Sequence, residues 1–204
     1  MCGFIASFGQ SINDEGLVKA FNQLQRRGPD AKGIWSEKNV FLGSRRLAIF
    51  DLHKRSNQPM TSICQRYILV FNGSIYNYLA LRNYLLKSGV KLRTTSDTEV
   101  IIELFVLEGP KMLNKLQGMF SFVILDKQTK EAFAARDPYG IKPLYIGYNF
   151  NGIILASQVK TLLSTNLISK EKDFNSQSCF FQYGYIIEPD TWFKKIKSLK
   201  SGHY

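Results

Sequence analysis

The stretch MCGFIASFG places a thiol one residue behind the initiator methionine. Removal of that methionine would make Cys2 the first residue of the chain. Its own α-amine, with an ordinary pKa of about 8, could then accept the thiol proton directly or through one water. Nucleophile and base would come from a single residue, and no histidine is needed. The chain has only two histidines, His53 and His203, and neither stands in a recognisable Cys/His/Asn setting. With no CxxC or HxxxH pair there is no pattern of metal ligands either. From position alone, Cys2 reads equally as a small buried cysteine opening an edge strand.

The elements that must position such a group are short. GFIASFG and VFLGSRRLAIFD are apolar runs bounded by Gly and Asp, and RYILVFNG ends an alternating strand at an Asn-Gly turn. Between them, LVKAFNQLQRRG has apolar residues at helical spacing and stops at Gly28-Pro29. NYLALRNYLLKSG sets Leu79, Arg82, Leu85 and Leu86 at helical intervals and ends at Gly89. SDTEVIIELFVLEGP opens with Ser96 and Glu99 in capping-box spacing and closes at Gly109-Pro110. GMFSFVILD, EAFAARD, LYIGYNF and GIILAS predict a meander of strands, and VKTLLSTN and SQSCFFQYGY two more helices. Sheet, helices, sheet and helices, with hairpins and no βαβ rhythm, predict an α+β domain with layered sheets.

Composition bounds the rest. The 204 residues are 45 % hydrophobic and 21 % charged, which suits one folded domain rather than a disordered chain. No stretch approaches the ~20 apolar residues of a membrane span, and no signal-peptide pattern is present, so the expected location is the cytoplasm, with no membrane partner. Three widely spaced cysteines, Cys2, Cys64 and Cys179, suit reduced thiols. The net charge of +11 is scattered apart from KKIKSLKSGHY, and without a nucleic-acid-binding motif it predicts a basic surface or a face for an acidic partner domain rather than a nucleic-acid partner.

MCGFIASFG, RRGPDAKG, LGSRRLAIFDL, NQPM, FNGSIYNY, TTSDTEVI, GMFSFVILD and RDPYGIKPLY follow one another in this order, and ASQVKTLL and LKSGHY extend the series. From Cys2 to Tyr204 the chain resembles the glutaminase domain of glutamine-dependent asparagine synthetases, which are class II glutamine amidotransferases. The resemblance implies the N-terminal nucleophile hydrolase fold, a four-layer αββα sandwich with two mainly antiparallel sheets, as a single domain over 1–204. It implies that Cys2 attacks the side-chain amide of glutamine to give a thioester and ammonia. Two donors must face the oxyanion that forms, about 2.7–3.1 Å away, and Asn72 (side-chain amide) and Gly73 (backbone N–H) match them. Alone, Asn72-Gly73 reads as a hairpin turn or, with Ser74, as a glycosylation sequon. Arg46 matches the clamp for the α-carboxylate and Asp97 the partner of the α-ammonium. Alone, Arg46 reads as an exposed strand arginine and Asp97 as an acid at a helix N-terminus. Backbone groups of Leu47 and Ile49 are expected in the same pocket.

The chain departs from the pattern in places. Ser74 stands where many relatives have a glutamate that helps hold the ammonium, Gln158 where ASE is common, and Ser44 where a histidine often precedes the two arginines. No SGGxDS or Walker loop is present, so the ATP-pyrophosphatase domain is expected to be absent from these residues. The glutaminase reaction would need no cofactor; ATP and Mg would serve only a synthetase domain. Glutamine as substrate, an ATP-dependent synthetase domain or subunit as partner, and a homodimer are the implied associations. The rival expectations are a catalytically weakened binding or regulatory module and a different N-terminal nucleophile hydrolase, such as an acylase. Arg46 and Asp97 speak against the acylase.

Overall fold

A computed structural model describes residues 2–10 and 15–204. Met1, on whose removal the α-amine base depends, lies outside the described residues. In chain order the elements are β1 (Gly3–Phe8), α1 (Glu15–Gln23), β2 (Ala31–Glu37), β3 (Val40–Arg46), β4 (Met60–Thr61), β5 (Tyr67–Ile75), α2 (Tyr78–Lys87), α3 (Asp97–Glu108), β6 (Gly118–Asp126), β7 (Ala132–Arg136), β8 (Tyr145–Asn149), β9 (Gly152–Ala156), α4 (Val159–Ser164), α5 (Phe174–Tyr183) and β10 (Ile196–Ser198). They build a six-stranded sheet in the order β10-β8-β9-β1-β3-β2 and a four-stranded sheet in the order β4-β5-β6-β7. Every strand pairing is antiparallel.

Strand alternation sorts the side chains into three apolar layers. Phe4 and Ala6 of β1, Leu42 of β3, Ile68 and Val70 of β5, and Val123 and Leu125 of β6 fill the space between the sheets. The opposite face of the larger sheet, through Ile5, Phe41 and Ile154, packs on Leu17, Ala20 and Phe21 of α1 and Leu162 of α4. The outer face of the smaller sheet, through Leu69, Phe71, Phe120 and Phe122, packs on Leu81 and Leu85 of α2 and on Val100, Ile101 and Leu104 of α3. Each large apolar side chain withdrawn from water contributes about 1.5–3 kcal/mol. Helices, sheet, sheet and helices therefore form the αββα sandwich, and its middle layer runs into the site.

Helix α3 follows its sequence signals closely. Ser96 caps it, its hydroxyl accepting the Glu99 N–H at 3.3 Å. The reciprocal half of the box is redirected: the Glu99 carboxylate accepts the N–H groups of Thr94 and Arg93 instead. Helix α5 starts at the cap Asp173 and ends at Gly184, whose φ of 79° is left-handed. In α2 the buried residues are Leu81 and Leu85, while Leu79 and Leu86 face outward.

Two expectations are corrected. Asn72-Gly73 is not a hairpin turn but the interior of β5, which continues to Ile75 in register with β6 (Asn72 opposite Ser121, Gly73 opposite Phe120). The long-range ladder overrides the local turn preference of Asn-Gly. The strand read as VFLGSRRLAIFD stops at Arg46, after which the chain leaves the sheet and Asp51 adopts a φ of 45°. Strand β2 gives little signal because it is an edge strand with no fully buried residue.

Candidate active site

The inward stripes of three strands converge at one end of the middle layer. Cys2 continues the parity of Phe4 and Ala6, Arg46 that of Leu42, and Asn72 that of Ile68 and Val70. Together with Leu47, Ile49, Gly73, Ser74 and Asp97 they line one cavity of about 200 Å³. That is smaller than the ~300–1,000 Å³ of pockets for drug-sized ligands and suits something the size of an amino acid. Every residue singled out from the sequence for chemistry or binding is on this wall. Phe50, Gln58, Phe71, Thr98, Met119 and Lys142 complete it.

Cys2 is half-buried. Its Sγ accepts the Leu47 N–H at 3.4 Å and lies 3.6 Å from the Leu47 carbonyl, and Arg27 Nε donates to the Cys2 carbonyl at 3.0 Å. Burial pushes the thiol up from its ordinary value; the Leu47 backbone and the Arg46 charge oppose this, and Asp97 adds to it. Gly28 of RRGPD explains how β3 comes so close, since a Cβ there would sit 2.2 Å from the Arg45 carbonyl. Asp30 then ties the chain just beyond β3, accepting the Ala48 N–H at 2.8 Å.

Asn72 is 1 % exposed, and its Nδ2 has no hydrogen-bond partner among the described residues. An orphaned buried amide costs about 1–3 kcal/mol, and this one belongs to a residue that lines the cavity. Gly73 supplies a second donor through strand geometry. The Phe120 N–H donates to Asp137 and its carbonyl accepts from Asp137, both away from β5, so Gly73 and Phe120 form a non-hydrogen-bonded pair. The N–H groups of Phe71, Gly73 and Ile75 therefore share the open edge of β5 beyond β4. Gln58 Oε1 takes the first at 2.7 Å and Asp97 Oδ2 the third at 3.1 Å. The Gly73 N–H lies between them, on the cavity. No other residue fits: a Cβ at Gly73 would lie 2.3 Å from the Met119 carbonyl.

Asp97, at the start of α3, is buried, and that burial raises its carboxyl to about 6 despite hydrogen bonds from Ile75 and Thr98. Arg46, the residue matched to the carboxylate clamp, is bonded within the chain. Its Nη1 donates to the His53 carbonyl and to Asn57 Oδ1, and its Nη2 to the carbonyls of Phe50 and Asp51. The guanidinium fork thus holds the loop that follows β3. Asp51 helps from the other side, accepting the N–H groups of Thr95 and His53 and pairing with Arg55. Ser74 lines the cavity without adding a charge, and Ile49 stands largely exposed at its mouth.

A family model described as a glutamine amidotransferase domain matches residues 1–204. The chain belongs to that family. The amidotransferase domain is 36 % identical over 209 residues to asparagine synthetase [glutamine-hydrolyzing] 1 of Bacillus subtilis, covering 99 % of this chain and 33 % of that one. It is 34 % identical over 223 residues to putative asparagine synthetase [glutamine-hydrolyzing] 2 of Methanocaldococcus jannaschii, covering 98 % and 43 %. It thus spans about a third to two-fifths of the length of these curated relatives. Among solved structures it matches a glutamine phosphoribosylpyrophosphate amidotransferase from B. subtilis with a TM-score of 0.71 at 22 % identity, over 82 % of this chain and 44 % of that one. That likeness shows the fold, the αββα sandwich.

Sequence reasoning assigns no role to Gln58, Thr98 or Lys142. Gln58 and Lys142 lie in the quoted motifs NQPM and RDPYGIKPLY, and Thr98 in TTSDTEVI. Their place inside motifs of the ordered series is the available signal. All three cysteines are free thiols. No helix among the described residues is long and apolar enough to cross a membrane.

Proposed function

We propose that the domain hydrolyses the side-chain amide of glutamine and passes on the ammonia. After Met1 removal the Cys2 thiol gives its proton to its own α-amine, and the sulfur bonds to the amide carbon. The carbonyl π pair moves to oxygen, where the Asn72 amide and the Gly73 N–H receive it. The α-ammonium returns the proton to the amide nitrogen, the C–N bond breaks, and ammonia leaves. Water then attacks the thioester to release glutamate. Asp97 takes the substrate ammonium, and the Arg46 guanidinium faces its carboxylate. Binding that carboxylate in the fork requires it to replace loop carbonyls as acceptors. Leu47 and Ile49 bound the same pocket.

One observation carries this reading: Asn72, whose buried Nδ2 has no hydrogen-bond partner among the described residues, lines the cavity that Cys2 also lines. The names of the relatives support an acceptor of the asparagine synthetase type; in this reading a synthetase domain or subunit would activate it with ATP and Mg²⁺, while the glutaminase half uses only the thiol, amine and amide groups. The rival, a non-catalytic binding module, draws support from the missing charge at Ser74 and the occupied fork of Arg46.

The test uses protein whose intact mass shows loss of one methionine. Ammonia release from glutamine, together with one equivalent of label on Cys2 from diazo-oxo-norleucine, is expected, and both vanish in Cys2→Ala. A processed protein that neither releases ammonia nor takes the label would refute the catalytic reading and favour the module.

A further inference from the structure

Gln58 is 5 % exposed and lines the cavity without a part in the proposed bond-making steps. A buried amide has to find acceptors and donors, and this one finds them on three elements. Its Oε1 accepts the Phe71 N–H of β5 at 2.7 Å, and the Ser44 hydroxyl of β3 donates to the same oxygen at 3.4 Å. Its Nε2 donates to Thr98 Oγ1 of α3 at 3.5 Å, the long limit of a hydrogen bond. Those three elements carry Asn72 with Gly73, Arg46, and Asp97 respectively. The backbone at 58 is held as well. It packs so closely on β2 that a Cβ on Gly33 would lie 2.1 Å from the Gln58 carbonyl oxygen, and the neighbouring Asn57 accepts from Arg46 at 2.9 Å.

The short bond, to Phe71, falls where β5 is otherwise bare. Strand β4 pairs with β5 only at Ile68 and Leu69, so the outer edge beyond them has no strand on it. Gly73 makes no ladder bond to β6, and a glycine does little to fix the direction of its own N–H. Its neighbours fix it instead. The Phe71 N–H, two residues before, is tied to Gln58, and the Ile75 N–H, two residues after, to Asp97. We propose that Gln58 is a positioning residue for the amidotransferase reaction, holding the edge of β5 so that the Gly73 N–H and the Asn72 amide face the oxyanion together. This rests on the reading of Asn72 and Gly73 as the oxyanion donors. Gln58 acts through Phe71 rather than on the reacting atoms. Reach and polarity are both needed: from residue 58 an asparagine falls one methylene short of the Phe71 N–H, and a methionine fills the space without an acceptor.

The experiment compares methionine-processed wild type with Gln58→Met, Gln58→Asn and Gln58→Glu. Hydrogen exchange at the Phe71 amide is followed by NMR, and kcat and KM for glutamine are expressed per active site labelled by diazo-oxo-norleucine, which removes any effect of misfolded molecules. In Gln58→Met and Gln58→Asn the Phe71 amide should exchange at least about tenfold faster, having lost its acceptor. Turnover per labelled site should fall about 10–100-fold with KM within about threefold of wild type, as a displaced oxyanion donor requires. Gln58→Glu offers an acceptor at the same reach, so it should keep the exchange protection and most of kcat. If Gln58→Met does not fold, Gln58→Asn carries the test. A kcat per labelled site within about threefold of wild type in the two deficient variants would overturn the proposal and leave Gln58 a purely structural amide. A rise in KM with kcat unchanged would overturn it in favour of a direct contact with substrate. A wild type that releases no ammonia would overturn the functional reading instead; the tether is then judged on exchange alone, and an equally protected Phe71 amide in Gln58→Met would overturn that too.

Discussion

Asp97 is the residue where the fold and the proposed chemistry make opposite demands. Its carboxyl binds a proton at about 6 in the folded protein against 3.8 for the ordinary group, because burial outweighs the N–H groups that support the anion. The folded state therefore holds this proton more tightly than the unfolded chain does. The resulting stabilisation is complete below about pH 4 and is lost as pH rises through 6. A shift of about two units corresponds to about 3 kcal/mol withheld from the fold at neutral pH. Asp97→Asn preserves shape and can still accept the Ile75 N–H, so it should be more stable than wild type at pH 7.5 by up to about that amount. For a chain of 204 residues, at about 2–4 °C per kcal/mol, this is about 6–12 °C in Tm. The gap should close as pH falls and disappear below about pH 4. Thermal unfolding from pH 4 to 8 measures it. An Asp97→Asn protein no more stable at pH 7.5, or a gap that widens toward acid, would refute the reasoning. In a Cys2→Ala background, glutamine should protect the protein that keeps Asp97 against heat and leave the one carrying Asp97→Asn unprotected. Its affinity should weaken about tenfold per pH unit below 6, as the carboxylate that takes the ammonium is lost.

Two further changes test the proposed oxyanion donors. Asn72→Ala should lower kcat about 10²–10³-fold with a much smaller change in KM; a loss under tenfold in steady-state kinetics would remove its side chain from that role. Gly73→Ala puts a methyl 2.3 Å from the Met119 carbonyl, so β5 and β6 must part locally. A loss of about 1–3 kcal/mol in urea unfolding is expected along with impaired turnover, and wild-type stability would show that the strand edge is more pliant than described.

Much of this is legible in the chain itself. Ser96 and Gly109 bracket α3 as their chemistry demands, and the alternation in GFIASFG and RYILVFNG marks which residues meet between the sheets. Asn72-Gly73 misleads because a dipeptide carries only its local turn preference, whereas nine residues of β5 pair with β6. Position 2 and the ordered motifs draw attention to the residues on the cavity wall. The work of Arg46 in holding its own loop is not legible, since its acceptors are mostly backbone carbonyls that any sequence supplies. Gln58 escapes notice for a related reason: its Oε1 serves an N–H at residue 71, exposed only because β4 is two residues long.

The place of β1 also sets an order of events during synthesis. The strand that leads to Cys2 lies between β3 and β9, and those partners emerge from the ribosome far apart, about 105 residues separating Arg46 from Gly152. At about 5–20 residues per second this leaves roughly 5–20 s in which the start of the chain has one sheet neighbour at most. The peptidase that would free the Cys2 amine has that interval to work on an unfinished sheet. Once β9 closes against β1, residues 5–8 of the strand that leads to Cys2 are held from both sides. The timing of translation, more than the strength of the finished site, would then govern what fraction of molecules carry a usable base.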